Sequence, residues 1–252
     1  MKKKVINLLL GFSIIGFCIS SIDYVGSLKE DEEIIENIQV VQEKVDILLK
    51  QESIQVEQTS SGVVILPKYQ ALFETNNDMV GFIYLDNEHK YPILQQVDDQ
   101  NYYLNHDFFG KECKAGSVFV NNLCRLGESK ITLIYAHHMK DDSMFGILDA
   151  YRKEGDYTIQ LDSLYNEGTY KIVGVGLYNL ADNFKYYDYV GDLNKGDFEL
   201  WKLLMQDKLL WGSLDSLSYS DEIIELSTCS YERKNNRLVV ILIKEEGDEK
   251  WQ

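Results

Sequence analysis

The sequence predicts a mainly β (α+β) fold, a largely antiparallel barrel or sandwich with a few peripheral helices. Seven or eight short runs rich in Val, Ile, Leu, Tyr and Phe are set apart by Gly, Asn and Asp clusters, the mark of short strands joined by turns. Few helical patterns stand between those runs, which disfavours a parallel sheet wound by alternating helices. The 252 residues include 17 tyrosines, 10 phenylalanines and 45% hydrophobic residues, enough for one sizeable core.

In chain order, Met1 and three lysines precede about 18 mostly apolar residues, at the short end for a membrane span. No clear small-x-small cleavage site follows, so a retained anchor is favoured over a cleaved signal peptide. The lysines place the N-terminus in the cytoplasm. The expected location is therefore the plasma membrane, single-pass, with the bulk of the chain on the extracellular face. Cys18 lies in this run and reads as an inert apolar residue. Residues 29–52 read as a helix with acidic residues at its start; Ile34, Ile38, Val41, Val45 and Leu48 form an apolar stripe. One helix packing on its own domain, or standing as a stalk, is preferred over a coiled coil. The polar stretch 51–62 reads as a linker. The expected division is 1–28 basic flank and anchor, 29–62 helical stalk and linker, and 63–252 globular domain.

Within that domain, Pro67 in a first turn predicts a short helix over 67–74. Strands are expected at 80–85 and from Tyr91. The aromatic, turn-rich 101–110 reads as packed loop or short helix. Further strands are expected at 116–121 and 131–136, and a two-turn helix at 143–151. Strands at 157–161 and 169–178 follow, the second weakened by Gly174 and Gly176, which predict a bulge. A helix with an acidic first turn is expected over 196–206. Two β-branched runs, 222–229 and 237–243, flank a polar loop and read as an antiparallel hairpin.

The formal net charge of −16 makes nucleic acid an unlikely partner, since phosphate binding needs a basic stripe. Four cysteines are too few and too unevenly spaced for a disulfide framework, and Cys113 and Cys124 read as free thiols. No residues have zinc-site spacing and no glycine-rich phosphate loop is present. His89 and His106 lie in turn regions and read as surface or packing residues. The hairpin places Cys229 beside Arg237, and His137 stands at the end of another strand. A thiol that acts as its thiolate, an imidazole that moves protons and a guanidinium that holds an oxyanion are the parts of thiol acyl transfer. Each alone is a weak signal, because a lone cysteine is ordinarily a small buried hydrophobe. Alternation along the strand sends His138 to the face opposite His137, which favours His137 for the chemistry.

At these residues the chain resembles the sortases, membrane-anchored cysteine transpeptidases of Gram-positive bacteria, and most closely class B. Leu226-Ser-Thr-Cys229 matches the family's Leu-x-Thr-Cys signature, with Arg237 where its arginine is expected. Residues 134–145, around His137, resemble the class B histidine segment, and 77–86 and 99–112 share class B character. The resemblance runs in order over about residues 67–244. It implies a closed eight-stranded β-barrel with an N-terminal helical extension and no cofactor. It also implies that Cys229 attacks a threonine carbonyl in the C-terminal sorting signal of a surface protein. His137 would then serve as acid and base, Arg237 as oxyanion partner, and an amino group of a peptidoglycan precursor as acceptor. Ser227 and Thr228 would bind substrate or support the site. The same residues would equally serve a hydrolytic cysteine peptidase, and a catalytically idle, membrane-tethered interaction module is the remaining alternative. Two positions depart from the family pattern. Glu225 stands where threonine is usual, and Ala136 replaces the glycine before the histidine.

Overall fold

The computed structural model describes residue 29, residues 31–50 and residues 64–245. The chain divides into two compact units, Met1–Val40 and Val41–Gln252. The expected anchor over 1–28 and the expected linker over 51–62 lie outside the described residues. The expected single-pass placement in the plasma membrane is corrected here. Among the described residues, no helix is long and apolar enough to cross a membrane. The first described helix, α1 (31–49), has charged residues all along its length, which no bilayer span tolerates.

The second unit begins inside α1. Val45 is fully buried, and Val41, Leu48 and Leu49 pack with it against a core cluster that includes Tyr69, Leu72, Phe82 and Phe119. This is the packing expected for the lower part of the stripe: one apolar face set on the domain, charges on the other side.

Among the described residues nine strands follow: β1 (Met79–Tyr84), β2 (Lys90–Leu94), β3 (Val118–Val120), β4 (Ile131–Tyr135), β5 (Thr158–Ser163), β6 (Thr169–Asn179), β7 (Leu209–Gly212), β8 (Ile223–Ser230) and β9 (Asn236–Lys244). Eight of them close a barrel in the order β5-β1-β2-β3-β4-β8-β9-β6, with β6 returning to β5. Closure depends on the 11 residues of β6. One edge of β6 pairs with β9 throughout, while the other pairs first with β5 and then with β7. Its register slips between Ile172 and Gly174 and again between Val175 and Gly176, the bulge that the two glycines predict. Two pairs are parallel, β2 with β3 and β4 with β8.

The short helix after Pro67 forms as a 3-10 turn, Pro67–Tyr69, leading into α2 (Gln70–Thr75). The helix α3 (Lys195–Gln206) is capped by Asn194, whose side chain accepts the Asp197 N–H, and it buries Phe198, Trp201 and Met205. Two expectations change. The helix expected from residue 143 starts only at Gly146 and is a 3-10 helix, Gly146–Arg152. Asp142 and Met144 hold φ of 65° and 51°, left-handed conformations from which no right-handed helix can start. The strand β7 was not expected, since four residues of alternating exposure leave almost no periodic signal.

Candidate active site

The site is built on the outward face of β8. Along that strand Glu225, Ser227 and Cys229 alternate with Leu226 and Thr228, so the first three share one side. The connection from β6 to β7, with a 3-10 turn at Tyr186–Asp188 and then α3, crosses this side. From it, the Tyr186 hydroxyl meets Ser227 Oγ at 2.7 Å, and the Trp201 indole N–H donates to Glu225 Oε1 at 2.8 Å. A helix cannot lie inside the barrel, so the face that meets Trp201 is the outer one.

Cys229 pairs with Arg237 across the β8–β9 ladder, and Arg237 pairs with Tyr178 of β6 on its other side. Directly paired residues in a sheet point to the same face, with Cα atoms about 4.5–5.5 Å apart. The thiol and the guanidinium therefore share one rim, as the hairpin predicts. Arg237 Nη1 donates to the Asn236 carbonyl at 3.1 Å.

β4 supplies the histidine. It runs parallel to β8 with Tyr135 opposite Ser227. Past the last ladder pair, the Ala136 N–H donates to Ser227 O at 3.4 Å, and the Thr228 hydroxyl donates to Ala136 O at 2.9 Å. His137 and Cys229 are the next residues of the two segments, His137 two past the end of β4 and Cys229 still within β8, which runs to Ser230. His137 Nε2 lies 2.9 Å from the Leu104 carbonyl oxygen. A carbonyl only accepts, so Nε2 carries the hydrogen and Nδ1 is left as the second, proton-exchanging nitrogen. His138 turns the other way and meets Asp149 Oδ2 at 2.8 Å.

The two departures from the family pattern have local explanations. Ala136 is not among the residues with positive φ, so an alanine there carries no backbone strain. Glu225 shares the Cys229 face but stands four residues back, about 13 Å along the strand. It is fully buried, with Oε2 unpartnered. Burial pushes its carboxyl up to about 8, against the opposing Trp201 hydrogen bond, so it is held largely neutral at pH 7. It is therefore a buried acid beneath α3 rather than a charge at the thiol.

Cys113 and Cys124 are free thiols; burial pushes Cys124 up to about 11, leaving it inert. Of the two supporting residues, Ser227 faces Tyr186 and Thr228 ties β8 to β4. Sequence reasoning missed the Leu104 carbonyl, Tyr186 and Trp201. A main-chain oxygen leaves no mark in a sequence, and Tyr186 is one of 17 tyrosines, with nothing to single it out.

No protein-family model matches the chain. It is 33% identical over 176 residues to sortase B of Listeria monocytogenes, covering 67% of this chain and 70% of that protein. It is 28% identical over 222 residues to sortase B of Staphylococcus aureus, covering 84% and 85%. A solved Staphylococcus aureus sortase B–substrate complex superposes with a TM-score of 0.67 at 26% identity, covering 86% of this chain and 98% of that one. The closed barrel, the helices and these likenesses agree, and the chain belongs to the class B sortases, a family of cysteine transpeptidases.

Proposed function

We propose that this chain cleaves a C-terminal sorting signal after its threonine and transfers the freed acyl group to a peptidoglycan amine. What supports the reading is the register: parallel β4–β8 pairing ends at Tyr135 opposite Ser227, two residues before His137 and Cys229, and antiparallel β8–β9 pairing sets Arg237 opposite Cys229.

In the first half-reaction the Cys229 thiolate attacks the threonine carbonyl carbon. A C–S bond forms and the electron pair moves to oxygen, where the Arg237 guanidinium offers fixed donors. The tetrahedral intermediate collapses, the C–N bond breaks and imidazolium His137 protonates the departing amine from Nδ1. In the second half-reaction an incoming amine attacks the thioester. His137 accepts its proton, a new C–N bond forms and the thiolate leaves. The Leu104 carbonyl keeps the imidazole in one tautomer and orientation through both halves.

The test is to incubate the purified full chain with peptides of Asn/Ser-Pro-x-Thr type, with and without an oligoglycine amine. The expected product is the amide-linked conjugate. Cys229→Ala should form none, and His137→Ala should lose about 100-fold or more. An unchanged rate in Cys229→Ala overturns the reading.

A further inference from the structure

The residues that directly follow Cys229 and His137 are tied to one another by a continuous chain of polar contacts on the side away from the thiol. His138 Nε2 lies 2.8 Å from Asp149 Oδ2, and Arg152 Nε donates to Asp149 Oδ1 at 2.6 Å. The same guanidinium donates from Nη1 to Glu232 Oε1 at 2.7 Å and from Nη2 to Ser230 Oγ at 3.1 Å. A second link runs beside the first: the Tyr231 hydroxyl donates to His138 O at 2.9 Å, and its ring stands edge-on to the imidazole at 5.0 Å. Through covalent neighbours these contacts form one chain, from Cys229 through Ser230, Arg152, Asp149 and His138 to His137.

Isolated surface ion pairs contribute little, and Asp149 and Glu232 are exposed. Three features separate this set from such pairs. The His138 side chain is 9% exposed and Ser230 is buried, so both ends of the chain are packed. Asp149 and Arg152 lie one turn apart on the same 3-10 helix, so the fork is held before it meets its partners. The third is where this chain of contacts falls. The β4–β8 ladder ends at the Tyr135–Ser227 pair, so it no longer sets the histidine against the thiol at the point where chemistry needs them.

We propose that His138, Asp149 and Arg152 are positioning residues that replace the missing ladder and fix the His137 imidazole against the Cys229 thiol. The proposal rests on the transpeptidase reading. Only a forked guanidinium reaches Asp149, Ser230 and Glu232 together; a lysine ammonium supplies the charge without the fork.

The experiment measures kcat and KM for the full chain and for Arg152→Ala, Arg152→Lys, Asp149→Ala, the Asp149→Ala/Arg152→Ala pair and His138→Gln. Each value is scaled to the folded fraction at the assay temperature. Both Arg152 variants and Asp149→Ala are expected to lower kcat about tenfold or more with KM within about twofold. The pair should lose no more than the worse single variant, because both break one chain. His138→Gln, which keeps an N–H donor toward Asp149, should retain about a third of the activity or more.

A kcat within about twofold of wild type in Arg152→Ala, full rescue by lysine, or losses that vanish on scaling would overturn the proposal. If the wild type turns over no peptide, the functional reading falls by itself. Iodoacetamide alkylation of Cys229, followed by peptide mass spectrometry, then decides the relay. A rate changed about threefold by Arg152→Ala supports it, and an unchanged rate overturns it.

Discussion

Trp201 donates its indole N–H to Glu225 at 2.8 Å in a space that neither side chain shares with solvent. A fully buried carboxyl with one neutral partner and one unpartnered oxygen is stable there only while protonated. Its ordinary value of 4.5 is raised to about 8, so between those limits the folded chain binds a proton that the unfolded chain releases. Stability from this group is complete below about pH 4.5 and is lost as pH rises through about 8. Glu225→Gln keeps an acceptor for Trp201 and cannot ionise. It is expected to raise the melting temperature at pH 8 more than at pH 5, as thermal unfolding at the two values will show. An equal shift at both would contradict the assignment.

Tyr186 and Ser227 hold a 2.7 Å hydrogen bond in a buried position. Tyr186→Phe leaves the serine hydroxyl without its partner and should cost about 1–3 kcal/mol. Adding Ser227→Ala should cost less than the sum of the two single changes, a coupling that denaturant unfolding of the four proteins in the cycle would measure.

Val45 is fully buried against the core of the second unit. Val45→Ala should cost about 2 kcal/mol, against about half a kcal/mol or less for Ile47→Ala on the exposed side of the same helix. Comparable losses at both positions would show that this part of α1 is not integral to the folded body.

Gly212 closes β7 with φ of 99°, and a Cβ there would stand 2.2 Å from the Val173 carbonyl oxygen. Gly212→Ala meets both strain and a main-chain clash, so a loss of about 2 kcal/mol or more is expected by chemical denaturation. Among the described residues β7 pairs only with β6, so faster amide exchange should be concentrated at 209–212 and 174–176.

The local pattern of this chain was open to reading because it is a local matter. Period-two runs give strands, an acidic first turn marks the start of α3, and paired glycines give the β6 bulges. The β8–β9 hairpin set Cys229 beside Arg237, since a short loop between two apolar runs leaves little other register. The sequence also carried the family motifs around Cys229 and His137.

Contacts between distant parts of the chain had to wait for the tertiary structure. Thr228 and Ala136 are 92 residues apart, and only the parallel β4–β8 pairing brings the two strand ends level. Glu225, in sequence a departure from the family pattern, became a neutral buried acid because α3 crosses above it. His137 gained its fixed tautomer from a Leu104 carbonyl 33 residues away, and Arg152 gained its role from a loop 80 residues away. A strand is specified by its own side chains and the period of its backbone. The partner of a buried polar atom is set by whichever segment the closed barrel lays over it, and no local pattern encodes that choice.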